Sequence, residues 1–115
     1  MTKTHWTIEE LGYTFPEFTK PSEVTSWLLA QGIRGRRHMP EECPIARLLR
    51  PTVDNKWPGI RYIGVVACLY EEKRRHIEGY MRVFDGVTDY LIELPQMVLE
   101  FVYHFDRGAY PEVEE

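Results

Sequence analysis

The chain is short of almost everything that announces a chemistry. Its 115 residues hold two cysteines, Cys43 and Cys68, and no CxxC or HxxxH pair. A zinc site needs about four ligands, commonly set out in close pairs, so the loose pair of His38 and Cys43 is a poor start for one, and no metal site is expected. No GxSxG, P-loop, GxGxxG or paired-carboxylate motif occurs, and no cofactor is expected. No apolar run approaches the roughly 18 residues that span a bilayer. The first residues, MTKTHWTIEELG, have neither the basic start nor the apolar stretch of a signal peptide. These absences point to a cytoplasmic protein without a membrane partner, whose two thiols stay reduced.

What is present is an ordinary globular composition, 43% hydrophobic and 28% charged, with a rich 13% of aromatic residues. That suits one small domain over residues 1–115 and argues against disorder. The net charge of −4 conceals a polarity. Residues 1–77 carry 12 Lys and Arg against 9 Asp and Glu, and residues 78–115 carry 2 against 9. Unlike ends of this kind suit a charged partner or self-association.

Residues 1–20 read as a lead-in, with a helical turn in TIEELGY capped by Thr7. In residues 21–31, PSEVTSWLLAQ, Val24, Trp27, Leu28 and Gln31 keep helical spacing. Pro21 suits the first turn, Gly32 a left-handed stop, and Ile33 the fold-back contact after it. Cys43-Pro44 opens a short helix, CPIARLLR, which Pro51 should end.

Residues 60–70, IRYIGVVACLY, read as a strand covered on both faces, with Cys68 as a small buried hydrophobe. EEKRR is a charged turn, and HIEGYMRVF (76–84) a second strand. Asp85-Gly86 is the best hairpin signal, and VTDYLIEL (87–94) returns as a third strand. In residues 95–107, Met97, Val98, Phe101, Val102 and Phe105 make the apolar stripe of a last helix stopped by Gly108. The acidic tail, residues 109–115, should fray. The expected fold is α+β: a short antiparallel three-stranded meander flanked by N-terminal helices and one C-terminal helix.

The stretch HMPEECPIARLLRP (38–51) invites a reactive-thiol reading, because a helix start lowers a thiol pKa. Glu41 and Glu42 beside it oppose that shift. A Cys-Pro step can ligate haem in some regulatory proteins, but two residues carry no such assignment. The structural reading is preferred: Cys43 caps, Pro44 starts the helix, and Ile45, Leu48 and Leu49 pack.

WLLAQGIRGRRHMPEECPIARLLR and ELPQMVLEFVYHFDRGAYPEV together resemble a set of small uncharacterised proteins of actinobacteria and their phages. The resemblance rests on Gly32, Gly35, Cys43, Pro44, Ala46, Arg47, Leu94, Pro95, Phe105, Asp106, Gly108, Tyr110 and Pro111. It covers about half the chain, leaves out the middle strands and transfers no activity. It implies an accessory protein in such a setting, where small proteins often act by binding host proteins.

Two basic loops remain: Arg34, Arg36 and Arg37 in one, Lys73, Arg74, Arg75 and His76 in the other. Tyr62, Tyr70 and Tyr80 could stack on single-stranded nucleic acid. Yet the chain is acidic overall and shows no helix-turn-helix, zinc finger or RRM motif. The favoured expectation is therefore a non-catalytic accessory or regulatory protein that binds a protein partner, such as a host protein or a second copy of itself. Its anchors would be Arg34, Arg36, Arg37, Arg74, Arg75, Trp57, Tyr103 and Tyr110. The competing expectation is nucleic-acid binding through loops 34–38 and 73–76, and chemistry at Cys43 stands third.

Overall fold

A computed structural model describes residues 2–70 and 76–115. The chain runs through β1 (His5–Thr7), α1 (Ser22–Ala30), α2 (Pro44–Lys56), β2 (Tyr62–Tyr70), β3 (His76–Phe84), β4 (Asp89–Glu93) and α3 (Gln96–Asp106). Short 3-10 turns lie at Glu9–Leu11, Pro40–Glu42 and Pro111–Val113.

The class is α+β, as the patterning predicts, but the sheet is larger than a meander. β2, β3 and β4 pair antiparallel in sequence order, and β1 adds a fourth strand parallel to β4, giving the order β1-β4-β3-β2. The expected three-stranded antiparallel sheet is thus a four-stranded mixed one. Three residues are too few to show a two-residue period. What holds them is long-range: His5, Trp6 and Thr7 stand opposite Leu91, Ile92 and Glu93, and the Leu91 N–H donates to the Thr4 carbonyl at 2.8 Å. The turn expected after them does form, and it is capped in both directions. The Thr7 N–H donates to Glu10 Oε1 at 2.8 Å, and the Glu10 N–H to Thr7 Oγ1 at 3.3 Å.

Alternation along the strands sorts the sheet into two faces. Ile63, Val65, Ile77, Met81, Val83, Tyr90 and Ile92 are buried on the inner face. There α3 packs across β2 and β3, and α1 packs on α3. The outer face carries Val66, Cys68, Tyr70, His76, Glu78, Tyr80 and Arg82, all exposed. Only the first half of β2 is covered on both sides, so the expectation of a doubly covered strand, and of a buried Cys68, is corrected. An apolar run does not tell which alternate residues face the helices until its neighbours are in place.

α1 ends as predicted. Gly32 has φ +70°, its N–H donates to the Leu29 carbonyl, and the Ile33 N–H reaches back to Leu28. α3 closes in the same manner around Gly108, with φ +82°. Pro51 does not end α2, which continues to Lys56. Its ring lies on the exposed side, while Leu48, Leu49 and Val53 keep the buried stripe running past it. One missing N–H is a smaller loss than that packing. The hairpin is placed correctly but is wider than two residues. Phe84 pairs with Asp89, and Asp85 organises the loop by accepting the Val87 and Thr88 N–H groups at 2.8 and 2.7 Å. Those bonds hold its carboxyl below the usual range.

Candidate partner-binding surface

Among the described residues, the proposed anchors enter different local contacts. Arg74 and Arg75, with Lys73 and the rest of the EEKRR segment, lie outside the described residues. Arg36 pairs with Glu42 at 3.8 Å and with Glu115 at 3.4 Å, and Arg37 with Glu114 at 3.2 Å. Trp57 is half-buried, stacked on Tyr90 at 4.3 Å and edge-on to Trp6 at 5.6 Å. Tyr103 lies under the Arg107 guanidinium at 3.7 Å, and Tyr110 stacks on Phe101 at 5.3 Å.

The acidic tail is not frayed. Gly35 and Glu114 form a parallel bridge. The Gly35 N–H donates to the Val113 carbonyl at 2.9 Å, and the Glu115 N–H to the Gly35 carbonyl at 2.8 Å. Val113 is fully buried. Arg47 donates to the Arg34 carbonyl at 3.0 Å and pairs with Glu115. The Arg47 and Arg36 cations beside Glu115 hold its carboxyl below the usual range.

The charge polarity of the sequence is therefore met inside the molecule: the basic loop and the acidic tail close on each other. Gly35, Pro44, Arg47, Asp106 and Gly108 lie around this clasp. A Cβ on Gly35 would overlap the Glu42 carbonyl and the Pro44 ring. Asp106 accepts the N–H of His38, whose φ is +60°. Gly108 lies against the Arg37 guanidinium.

Cys43 is the residue before the first turn of α2, and its carbonyl accepts the Arg47 N–H at 3.0 Å. Its side chain is 2% exposed. Burial pushes the thiol up to about 12, against the pull of the Ile45 and Ala46 N–H groups at the helix start. Of the nearby acids it is Asp106, rather than the adjacent Glu41 and Glu42, that adds to the rise. A thiol so held is a packing group and a weak nucleophile.

The surface that remains is the outer face of the sheet and a groove at its end. Val66, Tyr70 and Tyr80 are 37%, 49% and 39% exposed, and Val66 stands opposite Tyr80 in the register. With Cys68, Glu78 and Gly79 they line a shallow hollow. Tyr62 belongs to the same face; its ring covers Gly64 and lies 5.3 Å from the Arg82 guanidinium, which in turn binds Asp89 at 2.8 Å. Glu78 and Gly79 also line a groove of about 590 Å³ between β3, the end of β4, the start of α3 and residues Thr7–Glu9.

Sequence reasoning picked out the three tyrosines but missed Glu9, Glu78, Glu93 and Gln96 around the groove. The alternation of 76, 78 and 80 was visible. The place where β4 leaves β3 depends on register, which was not. Comparison with protein-family models, curated proteins and solved structures gave no match. Among the described residues no helix is long and apolar enough to cross a membrane, and no group of three or more His, Cys, Asp or Glu is placed to hold a metal ion.

Proposed function

We propose that this chain is a non-catalytic accessory or regulatory protein that acts by binding another protein through the outer face of its sheet. The observation that carries the reading is the row of exposed Val66, Tyr70 and Tyr80 on a regular strand surface. Large aromatic side chains held on a rigid sheet are the residues that dominate protein interfaces. The depth of Cys43 weighs against thiol chemistry. The resemblance to small actinobacterial and actinophage proteins supports an accessory role in such an organism or its phage.

This reading moves the proposed contact from Arg36 and Arg37, which serve the clasp, to the tyrosines. The nucleic-acid reading keeps one observation in its favour, that Tyr62, Tyr70 and Tyr80 share a face. Against it, Glu78 lies among them and Arg36 and Arg37 are neutralised by Glu42, Glu114 and Glu115.

The test is a Tyr70→Ser/Tyr80→Ser variant, both positions being exposed so that the fold persists. A protein retained from host lysate by the wild type, or a dimer seen by sedimentation, should be lost in this variant at unchanged melting temperature. Retention by both proteins would overturn the assignment of the face. Binding to random-sequence DNA or RNA that falls with salt at a slope near −0.7 to −0.9 per phosphate, and is lost when Arg34, Arg36, Arg37, Arg74 and Arg75 become Ala, would establish the competing reading.

A further inference from the structure

The groove beside β3 is a vacated strand position. β4 pairs with β3 only from Met81 to Phe84, whereas β2 flanks β3 along its whole length. Extending the β3–β4 register would set Leu94 opposite Gly79 and Gln96 opposite Ile77. The backbone does not follow that path, because Pro95 turns the chain into α3. One relic of the pairing survives: the Gln96 side-chain amide donates to the Ile77 carbonyl at 2.8 Å. Since Ile77 directs its carbonyl to this side, the two-residue alternation of a strand turns the N–H and carbonyl of Gly79 the same way. No backbone bond from Gly79 toward this side occurs among the described residues.

The walls of this lane are chemically sorted. Ile8, Leu94, Pro95 and Leu99 give an apolar floor, and Glu9, Glu78 and Glu93 stand at the rim with His76. His76 Nε2 is 4.0 Å from Glu78 Oε1, an ion pair only when the imidazole is protonated. No Lys or Arg lines the groove among the described residues.

We infer that this lane takes an extended peptide segment of a partner, added as a strand to the β3 edge, with Lys or Arg on one side and apolar residues on the other. The inference rests on the protein-binding reading and names the partner's chemistry. A strand laid along β3 gains main-chain hydrogen bonds at Gly79 from any sequence, and takes over the Ile77 carbonyl by displacing the Gln96 amide from it. Its alternate side chains point either down onto Leu94 and Leu99 or outward beside Glu78 and Glu93. The outward positions select cations, and the inward ones select apolar groups.

The probe is a capped heptapeptide, Lys-Val-Lys-Val-Lys-Val-Lys, titrated into the full chain by isothermal calorimetry and amide NMR. Its counterpart with Glu for Lys and a version N-methylated along its central residues serve as comparisons. The Lys peptide should bind and shift the Ile77 and Gly79 amides, while the Glu peptide and the N-methylated peptide should not bind. Glu78→Gln and Glu93→Gln, both at exposed positions, should each weaken binding about two- to five-fold, the size of one cross-strand charge pair. Equal affinity for the Lys and Glu peptides, undiminished binding of the N-methylated one, or no binding of any would overturn the inference. The Tyr70→Ser/Tyr80→Ser variant judges the parent reading separately. Partner capture lost there, with no peptide bound in the groove, would leave the face standing and remove the lane.

Discussion

Raising the pH should cost this protein stability, in part through its buried thiol, Cys43. The Cys43 pKa goes from 9.0 in the unfolded reference to about 12 in the fold. The folded state thus holds the proton more tightly than the unfolded one. The associated stabilisation is whole below pH 9 and is lost as pH climbs toward 12. Between about pH 8 and about pH 10.5 the folded thiol stays protonated while the unfolded one ionises, which removes about 2 kcal/mol. That figure does not depend on how far above the upper pH the folded value lies.

The assay is urea denaturation in reducing buffer at both pH values, on the wild type and on Cys43→Ala. Tyr13, Tyr62 and Tyr110, whose hydroxyls burial also pushes up, contribute losses of the same sign to both proteins and cancel in the comparison. Wild type should lose about 2 kcal/mol more than the variant over this interval. Equal losses would show that the thiol reaches solvent in the folded state, and the packing role given to Cys43 would fall with that result.

Two glycines give sharper local tests. Gly35→Ala would drive a methyl group into the Glu42 carbonyl and the Pro44 ring, and should destabilise by roughly 1–3 kcal/mol; an unchanged melting temperature would mean that the loop and the start of α2 do not approach as described. Gly32→Ala meets no neighbouring atom but forces a Cβ onto a φ of +70°. It should cost about 1 kcal/mol by chemical denaturation, and a stabilising effect would contradict the left-handed helix stop.

The parts of the fold that were legible in the sequence are those written in local periods. α1 and its stop at Gly32 and Ile33, the strand over 76–84, the turn at Asp85-Gly86 and the stripe of Val98, Phe101, Val102 and Phe105 all repeat within a few residues. What was not legible depends on distant partners. β1 exists because of Leu91 and Ile92, and the tail is ordered because Gly35 and Arg47 receive it. The side of the sheet on which Cys68 falls follows from which faces of β2 and β3 meet α3. The groove had no local signal beyond Leu94-Pro95, since it is defined by pairs that do not form.

The clasp and the first strand also set an order of assembly. His5 meets Leu91, and Gly35 meets Glu114, so these attachments close the longest loops in the chain. The β2–β3–β4 meander closes much shorter ones. Loop-closure entropy rises with the logarithm of the enclosed length, so the meander and the helix upon it form the earlier nucleus, and both outer segments dock onto a surface already made. The same economy runs backwards in the native protein. β1 and the tail should be the first units to open, on either side of a core that stays shut, and in hydrogen exchange the Leu91 amide, bonded to Thr4, should lose its hydrogen sooner than the amides along the β2–β3 ladder.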